Sequence, residues 1–215
     1  MSNLMQNRHS ARSFTPQEVT DEVLTTIVKE AQLAPSWENT QPTHVYAANG
    51  QLAQIIRKEH QEKALAGQPS HADFRPSKEQ NFNSAALTNM VKFSSQLDAL
   101  GETGKREFLS LNQALFNAPA IVYLTVPKNA TPYEHYDAGA FGYGILLAAE
   151  RQGLRGIPAY EFVRYAAEIR AHFAIPEDEE ILMGIGLGYA ADDQVNAFNP
   201  GRADVTRVLT LKSND

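Results

Sequence analysis

Asn7-Arg8-His9-Ser10-Ala11-Arg12-Ser13-Phe14 places two arginines and a serine at every second position. Alternate side chains of an extended chain share a face, so Arg8, Ser10 and Arg12 would project together. At about 3.3 Å of rise per residue, Arg8 and Arg12 stand roughly 13 Å apart. A ligand with a phosphate at one end and a polar heterocycle at the other would fit that spacing, with the Ser10 hydroxyl between. The planar donor fork of arginine suits phosphate. Two readings are open for the stretch: a solvated cationic turn, or a ligand-facing segment.

The 215 residues suffice for one domain, 1–215, with a sizeable core. A hydrophobic fraction of 43% excludes wholesale disorder. The net charge of −6 argues against a general nucleic-acid binder, while leaving room for a local cationic pocket. No run of about 18 apolar residues and no signal-peptide pattern is present, so the expectation is a soluble, cytoplasmic protein without a membrane partner. Cysteine is absent. That removes disulfides, thiolate nucleophiles, cysteine-ligated zinc and iron–sulfur clusters, and no metal centre is expected. Redox chemistry would need a bound cofactor.

Thr20, followed by Asp21 and Glu22, marks a helix start, and Val23, Leu24, Ile27, Val28 and Ala31 form its apolar stripe. Pro35 ends it. Residues 35–42, Pro-Ser-Trp-Glu-Asn-Thr-Gln-Pro, are turn formers and hydrogen-bonding side chains, a helix-to-strand loop on composition. A short strand is expected over 44–48 and a helix from Leu52. Residues 67–84 are polar and broken by Gly67, Pro69 and Pro76, a surface excursion able to act as a lid. Helices follow near 84–100 and 105–117, the second with Phe108, Leu111, Leu115 and Phe116 on one face. Ile121–Val126 reads as a buried strand. Residues 137–152, rich in glycine and alanine at the start, read as a buried helix stopped by Gly153. A strand over 154–161 leads to a short helix over 165–173. In 181–190, Gly184, Gly186 and Gly188 alternate. Acidic Asp192-Asp193 follows where an anion-binding helix should start, which excludes a dinucleotide fingerprint. A strand with one bare face, closely packed by a neighbour, fits instead. A final apolar strand is expected around Val205–Leu211.

Arg-His-Ser-x-Arg-x-Phe at 8–14, Pro-Ser-x-x-Asn-x-Gln-Pro at 35–42, Pro158 after a strand, the glycine-alternating strand and Arg202 occur in an order that resembles the nitroreductase family, nearest its nitrobenzoate-reductase-like branch. The resemblance implies an α+β fold with a mainly antiparallel central sheet flanked by helices, and an intertwined homodimer with FMN at the subunit interface. It assigns Arg8 and Arg202 to the FMN phosphate, Ser10 to the ribityl chain and Arg12 to the pyrimidine edge, with His9 also among the cofactor-binding residues. Pro35, Ser36, Trp37 and Asn39 would meet flavin held mainly by the partner subunit. The backbone of Pro158, Ala159, Tyr160 and Glu161 would pass behind the ring. Asn112, six residues before Ala118-Pro119, would also reach it; on spacing alone it is equally a surface residue. The sequence departs from the family at Thr43, where tryptophan is common, and at Tyr160-Glu161, where Glu-Gly is common. The implied activity is ping-pong hydride transfer through flavin N5, from NADH or NADPH to a nitroaromatic, quinone or similar electron-poor acceptor. No dedicated acid or base is required, and Arg12 gives electrostatic support. The alternatives are an FMN-binding protein without turnover and a dehalogenating or flavin-fragmenting relative. Residues about 60–110 match least, and in this family they shape the substrate pocket.

Overall fold

A computed structural model describes residues 4–213. The middle of the molecule is a four-stranded antiparallel sheet in the order β1-β2-β4-β3. Its strands are β1 (His44–Asn49), β2 (Ala120–Pro127), β3 (Arg155–Ala159) and β4 (Glu179–Gly188). Seven α-helices are formed among the described residues: α1 (Leu4–Asn7), α2 (Asp21–Ala31), α3 (Gly50–Leu65), α4 (Ser84–Asp98), α5 (Gly101–Gln113), α6 (Pro132–Arg151) and α7 (Ala166–Phe173). None is long and apolar enough to cross a membrane. The α+β architecture and antiparallel sheet follow the sequence expectation.

The continuous apolar run of β2 makes it an inner strand covered on both faces. Period-two alternation then divides its side chains between two cores. Val122 and Leu124 meet Leu24, Ile27, Ile145 and Leu187 beneath α2 and α6. Ile121 and Tyr123 meet Ile56, Leu115, Phe162 and Ile169 beneath α3 and α7. The bare face of β4 lies on this second side. A Cβ at Gly186 would stand 2.5 Å from Phe162 Cζ, and one at Gly188 would stand 2.6 Å from Pro119 Cδ. The glycines therefore let Phe162 and Pro119 press onto the strand, the close approach expected from the sequence.

Three expectations need correction. The residues 205–211 form no strand: Val205–Arg207 is a 3-10 turn capped by the Asp204 side chain, and Val208, Leu209 and Leu211 are exposed. Among the described residues they pair with no strand, and an extended segment without a neighbour has no ladder to hold it. Helix α5 stops at Gln113, and Leu115, Phe116 and Asn117 take φ of +50°, +58° and +56°. This left-handed turn points Leu115 and Phe116 into the core. Burying two such side chains contributes about 1.5–3 kcal/mol each, which offsets much of a strain of about 1–3 kcal/mol at each of the three residues. Helix α6 begins at Pro132, not at 137, because Thr131 and Glu134 form a capping box with proline in the first turn. It is buried on one side only; Tyr133, Tyr136 and Gly139 are exposed.

The 67–84 excursion is strapped down over its first part. Ser70 Oγ lies 2.5 Å from the Tyr160 hydroxyl and donates to the Arg164 carbonyl. The Asp73 carboxylate accepts from Arg170 at 2.6 Å and from the Ile181 amide at 2.7 Å. Exposed backbone resumes at Arg75.

Candidate functional site

The N-terminal segment reaches the sheet through two single bridges, Ser10 parallel to Gly156 of β3 and Phe14 antiparallel to Ala190. Held in this way, Arg8, Ser10 and Arg12 come to one cleft, although not by strict alternation, since the intervening His9 lines it too. They line an open cleft together with His9, Phe198 and Arg202. Two ends of the chain thus meet at the edge strand, and Ser10 lies beside the strand that ends in Pro158 and Ala159. The remaining lining residues are Met5, Gln6, Asn199, Pro200 and Gly201. No carboxylate is among them, so three guanidinium groups share a cleft in a chain of net charge −6.

Arg12 is the buried member, 8% exposed. Its guanidinium lies over the rings of Phe198 at 5.0 Å and Phe108 at 5.4 Å, a cation–π arrangement that replaces part of the lost hydration. Its Nη1 donates to the carbonyls of Ser10 and Phe198. Burial lowers its pKa by desolvation, but a guanidinium keeps its proton at any physiological pH, so the charge is fixed. Arg202 is exposed and Arg8 half-exposed, free to turn toward an anion.

The other sequence candidates divide. Pro35 and Ser36 line a second, smaller concavity with Gln41, Pro42, Thr43, Asp137 and Phe141. Trp37 and Asn39 are exposed on the same loop. Positive φ at Glu38, Asn39 and Gln41 folds that loop tightly, the Trp37 amide donates to buried Asp137, and the Gln41 amide donates to Ser36 Oγ. This group does not join the Arg8–Ser10–Arg12 cleft within one chain. Asn112 is half-buried, one helical turn after Phe108, and so on the face of α5 that meets Arg12.

Tyr160 and Glu161 follow β3 directly, but their side chains turn elsewhere. Tyr160 holds Ser70. Glu161 is buried, accepts from Arg164 Nη1 at 3.0 Å, and lies 3.0 Å from His60 Nε2. Burial opposes its ionisation, yet the hydrogen bonds from His60 and Arg164 together outweigh this, and its pKa is lowered. The Glu161 side chain is thus committed to His60 and Arg164 and not to the cleft.

Sequence reading missed Asn196, Phe108 and Phe198 as parts of the site. The pair Asn196-x-Phe198 is visible in the tail, but nothing in its spacing ties it to residue 12. Cation–π contacts between distant segments leave no local pattern.

Together these features define a class: a small antiparallel α+β protein whose sheet edge carries a cationic, carboxylate-free cleft closed by segments 5–12 and 198–202. The chain belongs to the nitroreductase family, whose model matches residues 5–189. It is 30% identical to nitroreductase NfnB of Mycolicibacterium smegmatis over 216 residues, which cover 94% of this chain and 88% of that protein. It is 25% identical to a 4-nitrobenzoate reductase of Pseudomonas putida over 191 residues, 87% of this chain and 84% of the relative. Among solved structures, the FMN-dependent nitroreductase NfnB of Mycobacterium smegmatis in complex with NADPH superposes with a TM-score of 0.88 at 26% identity, over 98% of this chain and 96% of that one.

Proposed function

We propose that this chain is an FMN-dependent NAD(P)H oxidoreductase that reduces nitroaromatic, quinone or related electron-poor acceptors, and that the cleft at the edge of β3 holds the cofactor. The observation that carries the reading is the convergence of Arg8, Ser10, Arg12 and Arg202 on one cleft without a carboxylate. The donor set fits FMN: exposed guanidinium groups for a phosphate, a hydroxyl for a polyol, and a buried fixed cation for an electron-rich ring edge. FMN, when bound, supplies hydride transfer between NAD(P)H and acceptor.

The chain supplies position and charge. Arg8 and Arg202 bind the phosphate, and Ser10, next to His9, orients the ribityl chain. Arg12 places a fixed positive charge at the pyrimidine edge, where negative charge gathers on reduction. In a low-dielectric, water-poor setting such a charge counts for more than in water. The backbone from Pro158 to Glu161 would back the ring, and Asn112 would reach it from α5. No side chain is needed as general acid or base.

Pro35, Ser36, Trp37 and Asn39 complete the site from a second subunit, in a homodimer. Two surfaces support this. Val205, Val208, Leu209 and Leu211 are exposed along the tail, and Trp37, Tyr133 and Tyr136 are exposed around α6. Apolar groups so concentrated mark association surfaces. We place the protein in the cytoplasm. The test is steady-state oxidation of NADH and NADPH with a nitroaromatic or quinone. Turnover with either donor supports the enzyme; FMN binding without turnover would favour a flavin carrier.

A further inference from the structure

We propose that Asn196 is a positioning residue for the cleft: it fixes the backbone at Arg12, and through Arg12 it sets how much more tightly the cleft holds reduced than oxidised FMN. This rests on the role given to Arg12 above.

A carboxamide has two acceptor lone pairs and two N–H donors, and Asn196 uses all four. Its Oδ1 accepts from the Arg12 amide at 2.6 Å and from the Ser13 amide at 3.2 Å. Its Nδ2 donates to the carbonyls of Ser13 and Ala191, both at 2.8 Å. Two amides on one side and two carbonyls on the other admit a single orientation of the group, so its direction is fixed by the network. The side chain stands in for a strand neighbour where the N-terminal segment runs beside residue 191 between the bridges.

Asn196 is itself held. The Asp193 carboxylate accepts from the amides of Val195 and Asn196, which caps the turn Gln194–Ala197. Two residues on, the Phe198 carbonyl accepts from Arg12 Nη1 at 3.2 Å, and the Phe198 ring underlies the guanidinium. One short segment therefore grips Arg12 at both ends, its amide through Asn196 and its charge through Phe198. Arg12 has several rotatable bonds, and a charge with that freedom is useful at one ring edge only if both ends are fixed. Without the Asn196 amide, the Arg12 N–H loses its acceptor and the start of the side chain is free to shift.

The test compares wild type, Asn196→Ala, Arg12→Ala and the double variant as full-length protein loaded with FMN. The readouts are affinity for oxidised and reduced FMN and the two-electron midpoint potential of the bound flavin. Asn196→Ala is expected to weaken binding of reduced FMN about tenfold more than oxidised FMN, a fall of about 30 mV for a two-electron couple. Arg12→Ala should move the potential the same way, and the double variant no further than Arg12→Ala alone. Thr20→Ala, which removes the α2 cap and takes no part in the hydrogen bonds of Asn196 or Arg12, should lower thermal stability without moving the potential. If Asn196→Ala fails to fold, Asn196→Ser keeps one acceptor for the two amides and should give a smaller shift of the same sign. A wild-type potential in Asn196→Ala, with Arg12→Ala shifted, would make Asn196 merely structural and overturn the proposal. A wild-type potential in Arg12→Ala would instead show that the Arg12 reading is at fault.

Discussion

Replacing Gly186 by alanine probes how the sheet supports the site. The added Cβ would lie 2.5 Å from Phe162 Cζ and 2.9 Å from Ala118 Cβ, where carbon atoms pack best at about 3.5–4.0 Å. The ring tip must retreat by about 1 Å, yet Phe162 is buried against Phe116, with ring centroids 5.9 Å apart. Overpacking of this kind costs roughly 1–3 kcal/mol, and an anchored ring places the cost toward the upper end. Phe162→Leu removes the ring tip and alone costs roughly 1–2 kcal/mol as a cavity. In the double variant the new methyl occupies part of that cavity. The combined loss should therefore fall short of the sum by about 1 kcal/mol, with the Ala118 contact left unrelieved. The assay is urea unfolding of all four proteins at one fixed protein concentration. Additivity within about 0.5 kcal/mol would refute the claim that β4 lacks side chains there to admit Phe162. Because Phe162 immediately follows Glu161, Gly186→Ala should also weaken FMN binding, and Phe162→Leu should restore part of it.

Glu161→Gln should destabilise by about 2 kcal/mol at neutral pH, since hydrogen bonds to a charged partner are lost. The lowered pKa of Glu161 stabilises the fold above the unfolded-state value near 4.3, and that contribution disappears as pH falls through the folded-state value. The gap between wild type and Glu161→Gln in chemical denaturation should therefore close in acid; a gap independent of pH would contradict the assignment. Asp73→Ala, which frees Arg170 and the Ile181 amide, should cost roughly 1–3 kcal/mol and speed proteolytic cleavage within residues 67–84, read by mass spectrometry. Unchanged cleavage would mean that the strap does not hold the excursion. Gly139→Leu puts a side chain where nothing stands within 4 Å in one chain. On the proposed homodimer it should leave the fold intact and shift sedimentation toward the monomer, and a dimer that sediments unchanged would place the interface elsewhere.

The sequence was most legible where pattern and backbone agree. The Thr20 cap, the apolar run of β2 and the alternating glycines of β4 each carry a local signal, and each element formed as expected. Arg8, Ser10 and Arg12 do line one cleft, but His9 between them lines it as well. The ends of elements were less legible. The left-handed turn at 115–117 uses residues with no glycine-like preference, so only its tertiary reward explains it. The capping box that starts α6 was present in Thr131-Pro132-x-Glu134, but the glycines after 137 drew the helix start inward. The tail at 205–211 has the composition of a strand without a partner in its own chain. The Asn196 network joins residues more than 180 positions apart, a juxtaposition that no spacing rule contains.

The most direct test of the account is the visible absorption spectrum of the purified protein incubated with FMN and freed of excess, recorded without oxygen before and after NADPH or NADH. The account predicts yellow protein that bleaches with the nucleotide and regains its colour when a nitroaromatic is added. Protein that retains no FMN would contradict the assignment of the Arg8–Ser10–Arg12 cleft, and with it the proposed reaction.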